Sequence, residues 1–256
     1  MTVDDIHDIS GQLANFRAYY LGYGCVDRSD DPVAYFRSGV ANPALNGILR
    51  VRPGHFAEAM TVRLDLASAL GGVPVLWWTA PDSYPDLAAD LTRDGAIEVG
   101  TMPVMAARIA DVAGGRAGRR ALTIDVVDNP GALYEWVRAY AVSLGVSEAD
   151  VPAAALMESK HPESGDRLVR FSGRLDGQIV ATSAVLLSGG VAGIYAVTTH
   201  PACRGHGFGA EMTRVALGEA SRRGMRVVTL QATGDGEGLY RRMGFTTVGE
   251  HRIFSF

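Results

Sequence analysis

The residues best suited to chemistry are a glycine-rich run, Arg204-Gly205-His206-Gly207-Phe208-Gly209. It lies between Val191 to Thr198, which alternates like a strand, and a stripe of Met212, Val215, Ala216 and Ala220 at helical spacing. Glycines let the backbone turn sharply and approach a ligand closely. The helix start behind them adds unpaired N–H groups and the positive end of a dipole. Together these features suit a diphosphate, with a tight structural turn as the alternative. A dinucleotide fingerprint is met loosely by Gly205 to Ala210. The next strand, however, ends Thr229-Leu230-Gln231, with no acidic residue to hold a ribose hydroxyl. A Walker A loop needs Gly-Lys-Ser/Thr, which does not follow these glycines.

The run Val197-Thr198-Thr199-His200-Pro201-Ala202-Cys203-Arg204-Gly205-His206-Gly207-Phe208-Gly209 resembles the coenzyme A signature of the GNAT N-acetyltransferase superfamily, Arg/Gln-x-x-Gly-x-Gly/Ala. Leu239-Tyr240-Arg241-Arg242-Met243-Gly244-Phe245 resembles the Leu-Tyr-x-x-x-Gly-Phe segment of the same family. The likeness is close over 190–250 and in outline over 121–190. It implies an enzyme that takes acetyl-CoA as cosubstrate and acetylates a primary amine, with a small molecule as the first expectation. A protein or peptide acceptor, and a non-catalytic acyl-CoA sensor, are the alternatives. By the resemblance, backbone groups of Val197, Thr198 and Thr199 hold the pantetheine arm. Arg204 and the amides of Gly205, His206, Gly207, Phe208, Gly209 and Ala210 hold the pyrophosphate. Thr233 falls where relatives often place Ser or Asn near the pantetheine, and Tyr240 matches the general acid beside the sulfur. No base is assigned: Glu158, Glu163, Tyr195 and a water chain all stand open, and both glutamates read as solvated surface carboxylates.

These residues need elements to position them. Helical spacing predicts helices over 5–21, 55–70, 85–93 and 130–144. Leu122 to Val127 reads as a strand, and Leu168 to Leu175 with Gln178 to Leu187 reads as a hairpin across Asp176-Gly177. Val73 to Trp78 and Val227 to Leu230 are further strands. The fold class is α/β: a mixed, mostly antiparallel central sheet flanked by helices, the GNAT-like acyl-CoA N-acyltransferase fold.

The chain also matches itself. Arg52-Pro53-Gly54-His55-Phe56-Ala57-Glu58-Ala59-Met60-Thr61 aligns with Arg204 to Thr213 at a shift of 204 − 52 = 152, with Arg, Phe, Met and Thr identical. Gly72 to Ala80 falls on Gly224 to Ala232 at the same shift, and Leu91 to Gly100 falls on Tyr240 to Gly249 after a three-residue slip. Two similar lobes in tandem are expected. Residues 1–115 form a degenerate GNAT-like lobe and residues 120–256 the catalytic N-acetyltransferase domain, joined by the glycine-rich linker Ala113 to Arg119. Pro53 in place of Gly205 removes an amide, His55 in place of Gly207 adds bulk, and Leu91 in place of Tyr240 removes the acid. The first lobe is therefore expected to shape the amine pocket without binding coenzyme A itself.

Composition narrows the remaining classes. A net charge of −4 gives no global attraction for nucleic acid, and apolar stretches are interrupted before a membrane span's length. Residues 1–20 lack a basic start and apolar core, and Cys25 and Cys203 suggest a reducing compartment, so a cytoplasmic chain is expected. The histidines show no ligand-like spacing, so no metal is expected. Trp77 and Trp78 read as packing residues, Cys203 as an uncatalytic loop cysteine, and His200 and His206 as neighbours of the phosphate loop. A homodimer is left open.

Overall fold

A computed structural model describes residues 4–24, 30–112 and 122–256. Cys25 and the linker expected at 113–119 lie outside the described residues. The strands are β1 (Val33–Arg37), β2 (Asn46–Val51), β3 (Leu76–Thr79), β4 (Ile97–Arg108), β5 (Thr123–Val126), β6 (Leu168–Leu175), β7 (Gln178–Ser188), β8 (Val191–Thr199), β9 (Val227–Gln231) and β10 (Thr246–Ser255). The helices are α1 (Ser10–Tyr23), α2 (Phe56–Ala69), α3 (Leu87–Arg93), α4 (Pro130–Leu144), α5 (Val151–Ser159), α6 (Phe208–Arg222) and α7 (Gly234–Met243).

Local chemistry explains most boundaries. Asn129 caps α4 by accepting from the Ala132 N–H, and Pro130 follows at the first helical position. Asp176 and Gly177 adopt φ of 51° and 82°, the paired positive angles of a tight hairpin turn. The first helix starts later than its apolar spacing suggests. Asp8 accepts from both the N–H and the hydroxyl of Ser10, at 3.2 and 2.6 Å, and holds the preceding residues in turns.

All ten strands form one sheet, in the order β1-β2-β3-β10-β4-β9-β8-β7-β6-β5. The two lobes exchange strands at its centre. β10 of the second lobe lies between β3 and β4 of the first, and β4 lies between β10 and β9. The register of this central antiparallel pair is symmetric under the 149-residue shift. His251 pairs with Met102, and 251 − 102 = 149. Thr101 with Arg252 maps onto Glu250 with Pro103, and Gly100 with Ile253 maps onto Gly249 with Val104. The irregularities map too: Val248 is the extra residue on β10 and Val99 the extra residue on β4. A pseudo-two-fold axis therefore passes between Met102 and His251, as a duplicated chain requires.

Helices cover both faces. One core packs α6 through Met212, Ala216 and Ala220 against Val185, Ile194 and Leu230. On the other face, α1 and α4 bring Phe16, Tyr19, Trp136 and Tyr140 over Leu186 and Tyr195. Trp78 joins that second core, while Trp77 packs on the opposite face with Phe254, so both tryptophans are packing residues.

His251 is fully buried at the axis, stacked on Phe16 with ring centroids 4.4 Å apart. Burial, with Arg17 nearby, lowers its pKa to about 3. The unfolded chain takes up this proton near pH 6.5 and the folded chain does not, so stability falls as pH drops from about 6.5 towards 3. His251→Met, which copies the symmetric residue, should remove about 1.4 kcal/mol of that loss per pH unit. Urea unfolding at pH 7 and pH 4.5 measures it; parallel losses in both chains would contradict the assignment.

Candidate active site

The site forms where β8 and β9 part. These parallel strands pair at two positions, Ala192 with Val228 and Gly193 with Thr229. Beyond them β8 runs on to Thr199 with ladder partners on its β7 side alone. Among the described residues, no backbone hydrogen bond spans from Ile194–Thr199 to the β9–α7 junction. The gap is bounded by peptide edges, a lining suited to an extended, amide-bearing ligand.

A bulge sits at the mouth of this gap. Thr182 pairs with Thr198 and Ala184 with Tyr195, so β8 carries one residue more than β7 across the same interval. Ala196 takes φ of 48° there, a left-handed angle unusual for alanine. Nothing in the sequence marks Ala196, because its angle follows from the register of the β7–β8 ladder and not from the residue type.

Past Thr199 the chain makes an eight-residue loop, His200 to Gly207, before α6. Gly205 and Gly207 hold φ of 78° and 86°, angles that side-chain-bearing residues resist. The first bond closing α6 runs from the Glu211 N–H to the Gly207 carbonyl at 3.1 Å. The N–H groups of Phe208, Gly209 and Ala210 therefore precede the helical ladder, as the first turn of any helix requires. Arg204, His206 and Gly207 are exposed, whereas the Phe208 and Ala210 side chains are buried. The Arg204 Nε donates to the Thr199 carbonyl at 3.4 Å, and the His206 imidazole lies 2.9 Å from the Arg204 carbonyl. His200 caps its own turn by accepting from the Ala202 N–H. Cys203 is a partly buried free thiol in this loop.

The fold brings the other sequence candidates to the same end of the sheet. A Cβ on Gly209 would lie 3.4 Å from Leu239 Cδ2 and 3.8 Å from Thr199 Oγ1, so α6, α7 and the end of β8 converge. Thr233 caps α7, its carbonyl accepting from Gly236 and Glu237. Tyr240 points from α7 into the core, 8% exposed, edge-on to Phe245 at 5.8 Å. Burial pushes its pKa up to about 12, against a smaller opposing effect of its hydrogen bond with Thr213. It is therefore a protonated phenol at neutral pH.

The base candidates fare differently. Glu158 was expected on the surface and is instead fully buried. Arg170 donates to its Oε2 from Nε and Nη2 at 3.0 and 2.6 Å, while Tyr23 and Tyr140 donate to Oε1 at 3.0 and 3.2 Å. An ion pair so fully bonded offsets the cost of burial and leaves both carboxylate oxygens engaged within the core. Glu163 is mostly covered too, paired with Arg167 at 2.6 Å. Tyr195 donates to Asn15 Oδ1 at 2.7 Å and stacks on Tyr19 at 3.7 Å, and burial raises its pKa well above the usual value. None of the three presents a free base to the gap.

Asn15, missed in the sequence, ties the first lobe to this site. Its amide donates to the carbonyls of Leu186, Ser188 and Val191 in the β7–β8 hairpin. Helix α1 also carries Ser10, Gln12 and Arg17, so its sequence did not single Asn15 out.

The first lobe repeats this geometry and closes it. β2 and β3 pair in parallel at two positions and then part, and Leu49 is an extra residue on β2. There, however, the link to α2 is four residues, Arg52 to His55, and the link from β3 to α3 is seven, 80–86. Within the longer link the Tyr84 N–H donates to the Val51 carbonyl at 3.2 Å, so the chain fills its own gap.

Known proteins agree with this architecture. Residues 170–247 match the family model of the acetyltransferase (GNAT) domain. A GCN5-related N-acetyltransferase from Kribbella flavida superposes with a TM-score of 0.71 at 18% identity, covering 96% of this chain and 95% of that one. A GCN5-related N-acetyltransferase from Sphaerobacter thermophilus gives 0.55 at 19% identity, over 80% of this chain and 70% of that one. A tandem GNAT protein from the clavulanic acid biosynthesis pathway gives 0.58 at 14% identity, over 88% and 78%. No curated protein matches the sequence. Residues 170–247 are thus similar to a GNAT acetyltransferase domain, and the chain as a whole shares the fold of these structures. No group of three metal-ligating side chains is gathered, and no helix is long and apolar enough to cross a membrane, among the described residues.

Proposed function

We propose that the second lobe, residues 120–256, binds acetyl-CoA and transfers its acetyl group to the primary amine of a small molecule. The observation that carries this reading is the parted β8–β9 pair, bulged at Ala196 and opening beside a glycine loop at a helix N-terminus. The peptide edges of Val197, Thr198 and Thr199 suit the amides of a pantetheine arm. The amides from Gly205 to Ala210, with Arg204, suit its pyrophosphate. Thr233 stands at the start of α7 on the far side of the gap.

The amine attacks the thioester carbonyl, and negative charge develops on its oxygen. A main-chain N–H at the bulge stabilises that charge as an oxyanion-hole donor does. Tyr240 is the proton donor to the departing sulfur. With a pKa of about 12 against about 8.5 for a free thiol, it donates only as the sulfur acquires charge and the ammonium product sheds its proton. With the carboxylates engaged, that last proton passes through water and returns to the Tyr240 phenolate, which restores the phenol. Residues 1–115 serve as a diverged lobe whose α1 roofs the sheet face beside the bulge through Tyr19 on Tyr195. Such a roof favours a small acceptor over a folded protein. We place the chain in the cytoplasm on the same reading.

Arg204→Glu should weaken acetyl-CoA binding about tenfold or more, with a steep salt dependence, and leave the melting temperature unchanged, since the side chain is exposed. Calorimetry reads the affinity; an unchanged Kd removes Arg204 from the site. Tyr240→Phe should lower kcat about 10- to 100-fold while the Kd for acetyl-CoA stays within about threefold. Thiol release across a panel of amines measures this. Absence of turnover with every amine and a test peptide, alongside tight acetyl-CoA binding, would favour a sensor over an enzyme.

A further inference from the structure

The bulge on β8 depends on a side chain from the neighbouring strand. Thr182 lies in β7, fully buried. Its Oγ1 donates to the Ala196 carbonyl at 2.7 Å and lies 2.7 Å from the Thr198 hydroxyl. One hydroxyl has one proton to give. With that proton on the Ala196 carbonyl, the Thr198 hydroxyl must donate to the Thr182 oxygen. The result is a short chain from Thr198 through Thr182 to the backbone of the residue at φ of 48°.

The peptide joining Ala196 to Val197 is trans, as are all described peptide bonds, and the C=O and N–H of a planar trans peptide point in opposite directions. A carbonyl drawn towards β7 by Thr182 sends the Val197 N–H the other way, towards the side on which β8 and β9 part. We infer that Thr182 is a positioning residue: its hydroxyl fixes the peptide that aims the Val197 N–H at the acyl carbonyl. This rests on the acetyl-transfer reading and goes beyond it, because the hydrogen bonds of Thr182 run to Ala196 and Thr198 of β8 and not to the phosphate loop or α7. No sequence motif marks it, and a buried threonine in a strand ordinarily needs no explanation beyond packing.

The test compares the full chain with Thr182→Val, which keeps the shape and removes the hydroxyl, and Thr182→Ser, which keeps the hydroxyl. Thiol release from acetyl-CoA is followed with the amine of the panel that reacts fastest. The valine variant should lose about tenfold or more in kcat, with the KM for acetyl-CoA within about twofold, because a donor moved off line stabilises the transition state and not the bound ground state. The serine variant should recover most of the rate. In ¹⁵N-labelled protein, the Val197 amide should shift between CoA and acetyl-CoA in the parent and serine chains and not in the valine chain. Equal rates in all three chains, equal losses in both variants, or a Val197 shift that survives in the valine variant would each overturn the inference. If the valine variant loses its near-UV circular dichroism, Thr182→Ala, which removes the same hydroxyl with a smaller side chain, takes its place under the same readouts. A kcat there equal to the parent's overturns it as well. A parent chain that gives neither heat nor any amide shift with acetyl-CoA defeats the transfer reading itself, which is a separate failure.

Discussion

The antiparallel pairing of β4 with β10 is the interaction on which the rest of the molecule depends. Each strand is contributed by one lobe and is flanked on its far side by a strand of the other, β9 beside β4 and β3 beside β10. Neither half has a complete sheet of its own, since removing either would expose two long edges to solvent. The exchange also fixes where the helices lie. α1 belongs to the first lobe by sequence, yet it packs Phe16 near Trp78 and His251, and Tyr19 on Tyr195 of the second. The wall beside the candidate site is thus a property of the pair and not of either lobe.

Within this symmetric frame, small differences decide which lobe can work. Both keep a parallel pair that parts after two positions, and both keep an extra residue on the strand leading to the loop. In the second lobe the gap stays open, the loop is long enough for two left-handed glycines, and α7 begins two residues after β9. In the first, seven residues are spent between β3 and α3, and Tyr84 occupies the carbonyl that a ligand would need. Pro53, His55 and Leu91 are the sequence traces of that closure. On the proposed reading, a site closed by a longer link needs no change in the surrounding sheet, so the register at 149 residues is kept in both lobes while the gap is kept in one.

Much of this was legible in the sequence, for identifiable reasons. The hairpin at Asp176-Gly177, the helix from Pro130 and the glycine loop are set by local chemistry, so their residues announce them. The repeat was visible because Phe56 and Phe208 each start a helix at the same shift. The strand exchange was not, because Ile97 to Thr101 is exposed throughout and lacks the alternation of a half-buried strand. Strands β1 and β2 were missed with it, as was α5. The surface reading of Glu158 failed because the compensating groups, Arg170, Tyr140 and Tyr23, come from three other elements. A charge looks solvated in sequence until its partners are placed. The bulge at Ala196 and its support from Thr182 were likewise hidden, since ordinary residues adopt that geometry only under tertiary constraint.

A single open gap, in the second of two similar lobes, sets the number of ligands the chain can hold. Titration calorimetry of the intact chain with acetyl-CoA addresses that claim most directly, because it counts sites without reference to any acceptor. One molecule bound per chain is the result the structure predicts. Two per chain would show that Tyr84 does not close the first lobe, and none would show that the β8–β9 gap is not an acyl-CoA site.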